Sequence, residues 1–107
     1  MYALVVRFEL KDGESAEAFD QLVAQTVRGI QEKEPGTLVY ATHHVDGEPL
    51  ARIFYEVYRD REAFDAHERQ PHTLHFLSER HRYVVDTRVE FVTPRADSKG
   101  LPVDAGN

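Results

Sequence analysis

Apolar side chains recur at every second position from Tyr2 through Leu4, Val6, Phe8 and Leu10, with Ala3, Val5, Arg7 and Glu9 between them. A period of two predicts a β-strand with one strongly apolar face. Lys11-Asp12-Gly13 ends it. The period then changes: Phe19, Leu22, Val23, Thr26, Val27 and Ile30 follow at helical spacing, so one face of a long helix packs on the sheet. Ser15 is the expected N-cap, with Glu14 and Glu17 complementing the helix dipole, and Glu34-Pro35-Gly36 stops the helix.

Alternation returns from Thr37 to Val45, and the turn Asp46-Gly47-Glu48-Pro49 leads into a third strand from Leu50 to Tyr58. The adjacent His43 and His44 must point to opposite faces of the sheet. Arg52, Phe54, Glu56 and Tyr58 share one face of the third strand; Ala51, Ile53, Tyr55 and Val57 share the other. Asp60 caps a short helix running through Phe64 and His67 toward Gln70, and Pro71 opens a further helical stretch carrying His72, Leu74, His75, Phe76 and Leu77. A fourth strand spans Tyr83 to Val92, with Tyr83, Val85, Thr87, Val89 and Phe91 on its apolar face. Residues 1–93 form one domain, and 94–107, rich in turn formers and poor in apolar residues, read as a mobile tail.

Strand, helix, strand, strand, helix, strand is the order of the ferredoxin-like split βαβ fold of the α+β class. Its four-stranded antiparallel sheet carries helices on one face only. The uncovered face keeps apolar side chains, which predicts a two-fold homodimer packed sheet on sheet.

Composition narrows the function. At 107 residues the chain fits a single core. Thirteen Lys and Arg against nineteen Asp and Glu give a net charge of −6, with no basic stripe to hold a phosphate backbone, so nucleic acid is an unsuitable partner. There is no Cys, which excludes disulfides, thiolate catalysis and Cys-based metal centres. No segment has the design of a signal peptide or a membrane span, and a cytoplasmic location with no membrane partner is expected.

Five of the six His lie between Glu34 and His75, beside Glu56, Tyr40 and Tyr58. Imidazoles, phenols and a carboxylate gathered around one sheet suit the handling of a small organic molecule. The order of elements, the Glu34-Pro35-Gly36 break, the strand end Tyr55-Glu56-Val57-Tyr58, and Glu62-Ala63-Phe64-Asp65-Ala66-His67 followed by Pro71-His72 together resemble the antibiotic biosynthesis monooxygenase family of dimeric α+β barrels. The resemblance covers roughly residues 2 to 92. It implies oxygenation without a cofactor of a quinol, anthrone or related polyketide-type phenol, with a small aromatic substrate and dioxygen as the partners. A deprotonated phenol donates electrons to dioxygen readily, so such a site needs a base, hydrogen bonds to the enolate and an apolar cavity.

Under that resemblance His67 is the candidate base, because an imidazole titrates near neutral pH, and His72 and His75 line the same mouth. Glu56, on an apolar strand face, requires a partner, with His67, Tyr58 and Arg52 in reach. Tyr40, Tyr58 and Phe64 are the candidate contacts to an aromatic substrate. The chain departs from relatives that use a pocket Trp and Asn: it has no Trp, and its one Asn is Asn107. The same departure disfavours haem breakdown with His75 as axial ligand. Two other uses of the residues stay open: proton-transfer isomerisation or simple ligand binding in the same pocket, and a metal site of His67, His72, His75 and Glu56.

Overall fold

The computed structural model describes residues 1–103. Its elements run β1 (Tyr2–Leu10), α1 (Gly13–Lys33), β2 (Thr37–Val45), β3 (Glu48–Tyr58), α2 (Arg61–Arg69), α3 (Pro71–Glu79), a 3-10 turn (Arg80–Arg82) and β4 (Val84–Val92). The strands form one antiparallel sheet in the order β2-β3-β1-β4, the split βαβ arrangement expected from the sequence. Cross-strand partners point to the same face. Leu4↔Glu56, Val6↔Phe54 and Phe8↔Arg52 therefore place the even-numbered positions of β1 and β3 together under the helices. Phe8, Phe19, Phe54 and Phe76 meet there with ring centroids 4.9–6.4 Å apart and form the centre of the core.

Local chemistry sets the ends of the elements. The α1 cap is Asp12 rather than the expected Ser15: Asp12 Oδ1 accepts the Ser15 N–H at 2.7 Å, so the helix starts three residues early and Ser15 lies in its first turn. Asp60 caps α2 by accepting the Ala63 N–H at 2.8 Å, and Pro71 opens α3. The β2–β3 hairpin turns on Asp46-Gly47 alone, with Gly47 at φ 79°, and β3 begins at Glu48 instead of Leu50.

Two glycines bring the helices close enough to build a site. A Cβ on Gly29 of α1 would stand 2.5 Å from the His72 ring, and one on Gly36 would stand 2.7 Å from Ala63 Cβ. Only glycine allows α3 and α2 to seat this tightly against the end of α1. After Gly36 the chain is fastened to β3 by the Arg59 N–H donating to Gly36 O at 2.9 Å.

β4 departs from simple alternation. Glu9 pairs with Asp86 but Leu10 pairs with Val84, so a bulge between them turns Val85 outward. Val85 is 63% exposed, whereas Val84 packs against the core. Thr87, Val89 and Phe91 pair with Phe8, Val6 and Leu4 and share the helix-side face. Even so, Val89 and Phe91 remain exposed, because the helices pack over β1, β2 and β3 and stop short of β4. On the opposite face Ala3, Ala51 and Val57 are buried, while Val5, Val39, Ala41, Ile53 and Tyr55 are half-buried.

Of the expected tail, residues 94–103 carry no helix or strand, with Pro94, Leu101 and Pro102 half-buried; 104–107 lie outside the described residues. No described helix is long and apolar enough to cross a membrane. The bulge yields a test that reverses the sequence periodicity. Val84→Ala is expected to cost about 1 kcal/mol and Val85→Ala less than about 0.5 kcal/mol in urea denaturation. Equal costs, or a larger one at Val85, would rule out the bulged register.

Candidate functional site

Between the helices and the outer half of the sheet lies a cavity of about 370 Å³. Its walls are mostly apolar, from Leu4, Val6 and Phe8 of β1, Phe54 of β3, Phe76 and Leu77 of α3, and Val89 and Phe91 of β4. Tyr2, Phe64 and Phe91 pack against one another with centroids 5.0–6.2 Å apart. The polar members of the lining are Thr26, Tyr40, Glu56, His67, Glu68, Thr73 and Arg80.

His67 sits one turn from the end of α2, 5% exposed, with the rings of Tyr40 and Tyr58 at 5.6 and 5.3 Å. Its anchor is Glu34. His67 Nδ1–H donates to Glu34 Oε1 at 2.8 Å, His72 Nε2–H donates to Glu34 Oε2, and Thr37 Oγ1–H donates to Glu34 Oε1 at 2.6 Å. One buried carboxylate thus ties the end of α1 to β2, α2 and α3. Burial alone would raise the Glu34 carboxyl, but the hydrogen bonds from His67, Thr37 and His72 outweigh it and bring the pKa from 4.5 to about 2. Among the described residues no buried side-chain nitrogen or oxygen lacks a partner. His67 Nε2 makes no hydrogen bond to protein, so it opens on the cavity that His67 lines.

Glu56 projects from β3 into the same cavity. Tyr58 O–H donates to its Oε1 at 2.6 Å, and its Oε2, without a protein partner, faces the cavity by the same reasoning. Burial raises the Glu56 carboxyl, with Glu68 and Glu34 adding to the rise and the Tyr58 hydrogen bond and His67 opposing it. Burial, then the charge of Glu56, also raises the Tyr58 hydroxyl, and burial followed by Glu56, Glu34 and Glu68 pushes Tyr40 well above its ordinary value. Both tyrosines stay neutral hydrogen-bonding groups at physiological pH.

The residues expected at the site divide accordingly. His67, Glu56, Tyr40 and Phe64 line one cavity. Tyr58 is fully buried and reaches that cavity only through Glu56. His72 lies behind Glu34 rather than at the mouth, and His75 is exposed on the outer side of α3, away from the lining. Helical geometry explains the split: Thr73 and Phe76 mark the buried stripe of α3, His72 flanks it, and His75 lies on the side turned away from it. Arg52 is occupied by Asp20, at 2.9 and 3.0 Å, and is no partner for Glu56. The proposed metal set does not assemble: His67 and His72 converge on Glu34, His75 points elsewhere, and among the described residues no cluster of three His, Asp or Glu is arranged to hold an ion. His43 and His44 border a separate groove of about 360 Å³ beside Asp20 and Arg52.

Glu34 is the residue that sequence reasoning missed. It read as part of a helix stop, although a carboxylate at the negative end of a helix dipole is electrostatically misplaced and calls for a compensating donor.

No curated protein matches the chain. Among solved structures it is similar to a candidate antibiotic biosynthesis monooxygenase from Bacteroides thetaiotaomicron, at 21% identity and a TM-score of 0.84 over 96% of this chain and 95% of that one. A second such candidate, from Nitrosomonas europaea, matches at 21% identity and a TM-score of 0.80 over 88% of this chain and 98% of that one. A candidate monooxygenase from Lactobacillus acidophilus matches at 26% identity and a TM-score of 0.81 over 86% of this chain, which spans 43% of that longer protein. The profile described as antibiotic biosynthesis monooxygenase matches residues 1–79, from β1 through both helices of the site. The chain belongs to the antibiotic biosynthesis monooxygenase family.

Proposed function

We propose that the protein is a monooxygenase that oxidises a quinol, an anthrone or a related phenol with dioxygen, using His67 as the base. The observation that carries this reading is an imidazole locked by a buried carboxylate at Nδ1 and open at Nε2 on a cavity of aromatic and aliphatic walls. With the Nδ1 proton committed to Glu34, Nε2 holds the lone pair that accepts a proton. It takes the acidic proton of the substrate, and Tyr40 O–H donates a hydrogen bond to the resulting oxyanion. The electron-rich anion reduces dioxygen, the radicals join in a C–O bond, and the hydroperoxide breaks at O–O as its carbon loses hydrogen. The departing hydroxide recovers the proton from His67. The substrate gains one oxygen atom and loses two hydrogens, and the second oxygen atom leaves as water. This chemistry draws its electrons from the substrate and calls on no bound metal or flavin.

His72 acts at one remove. It holds the second oxygen of Glu34, and Gly29 leaves room for its ring, so it fixes the carboxylate that fixes the base. His67→Ala is expected to lower oxygen uptake with hydroquinones and anthrones about a hundred- to ten-thousand-fold with the fold retained, while His75→Ala keeps wild-type rates. An oxygen electrode supplies the measurement. Undiminished uptake by the His67 variant would remove the imidazole from the mechanism, and conversion of an enolisable ketone without oxygen uptake would favour an isomerase.

Glu34 also links the site to acid stability. A carboxyl whose folded pKa is depressed stabilises the fold fully above its unfolded value of 4.5 and loses that contribution as the pH falls toward about 2. The contribution is on the order of 3 kcal/mol. Glu56 has the opposite sign: its raised pKa favours folding at low pH, an effect lost as the pH rises through the folded value. Glu34→Gln is expected to be less stable than wild type near neutrality, and the difference should shrink between pH 4.5 and 2. A difference independent of pH in denaturant titrations would mean that the carboxylate is not the group holding the helices.

The protein is further proposed to work as a homodimer joined through the helix-free face, where Val5, Ile53 and Tyr55 are only half-buried. Light scattering at micromolar concentration should return twice the chain mass, and a monomer mass would defeat this assignment.

A further inference from the structure

The cavity has one permanently charged basic side chain, and the mechanism above gives it no task. Arg80 caps α3: its N–H donates to Phe76 O, and its carbonyl accepts from the Tyr83 N–H at 3.0 Å, so its backbone is held from both sides. The half-buried side chain lines the cavity together with Tyr40 and Glu68. Among the described residues its guanidinium makes no hydrogen bond and no ion pair; Arg28 and Arg69 also lack a carboxylate partner, but both are exposed and outside the cavity lining, whereas Arg52, Arg61, Arg82, Arg88 and Arg95 each have one. Two carboxylates are nearby without engaging it: Glu68 on the same lining, and Asp86 in the shallow groove on the other side of Arg80. A guanidinium set against apolar walls and left without a counter-ion is poised for an anion, because the low local polarity strengthens that attraction.

We propose that Arg80 receives a carboxylate substituent of an aromatic substrate whose phenolic ring lies toward His67. The inference rests on the oxygenase reading for the word substrate, but not for the anion site itself. It makes Arg80 a specificity-determining residue and selects carboxylated phenols and quinols over neutral ones. Glu68, on the same lining, repels the same group and so opposes Arg80.

Binding can be read without turnover by following the ligand fluorescence of 3-hydroxy-2-naphthoate and 2-naphthol on the intact protein. Wild type should bind the naphthoate more tightly than the naphthol. Arg80→Gln should weaken naphthoate binding about tenfold to a hundredfold and change naphthol binding less than about twofold. Glu68→Gln should tighten the naphthoate, and added NaCl should weaken it. Because the Arg80 guanidinium has no protein partner among the described residues, circular dichroism and melting of the variant should match wild type. The proposal is overturned if wild type fails to bind the naphthoate, or if Arg80→Gln affects both ligands alike or neither. It is also overturned if Arg80→Gln and Glu68→Gln loosen the naphthoate equally, the mark of an ion pair closing the mouth. Naphthoate binding that depends on Arg80, in a protein that oxidises no hydroquinone, would leave the anion site standing and sink the oxygenase reading.

Discussion

One carboxylate holds the site together. Glu34 accepts hydrogen bonds from His67, His72 and Thr37, so the end of α1, the start of β2 and the two short helices meet at a single buried anion. A charge in that position is costly unless each lone pair is engaged, and here the engagement also decides which nitrogen of His67 faces the cavity. The packing of the helices and the orientation of the His67 imidazole are therefore one problem with one solution. Gly29 and Gly36 belong to it, because any side chain at either would push His72 or α2 away from the carboxylate.

A division of labour follows across the sheet. β3 supplies Glu56 with its Tyr58 donor, both rooted in the core, and β2 supplies Tyr40. Glu56 and Tyr58 stand on the central strand β3, where neighbouring side chains restrict their rotamers, and Tyr40 stands half-buried on the edge strand β2. The wall opposite them, on β4, is the loosely covered one. The buried polar groups thus lie on one side of the cavity and the exposed side chains of Val89 and Phe91 on the other.

Much of this was legible in the sequence, for physical reasons. Strand β1 shows itself because one buried face imposes alternation, and Pro71 marks α3 because its missing N–H is harmless at a first helical turn. Asp60 was identifiable as a cap, yet Asp12 was not: Asp12 and Ser15 both have capping chemistry, and only the backbone path decides between them. The Val84–Val85 bulge leaves no local mark, since both positions are valines. His67 could be singled out by its residue type and helix, but its partner stands 33 positions away and that of His72 stands 38 away. No spacing rule reaches so far. For the nearer carboxylate, Glu56, the sequence offered His67, Tyr58 and Arg52 as partners, and the fold selects Tyr58, two positions away on the same strand.

The gap in the helix layer over β4 has a consequence for how this scaffold diversifies. Val89 and Phe91 line the cavity while remaining 46% and 60% exposed, so their side chains shape the binding space without supporting the core. Changes at partly exposed strand positions cost little stability compared with changes at buried ones. Mutational drift along β4 can therefore reshape the cavity one residue at a time, while the Glu34 anchor and the imidazole it orients stay under the constraint of folding itself. Cavity shape and the Glu34–His67 geometry are thereby free to evolve at different speeds within a single small domain.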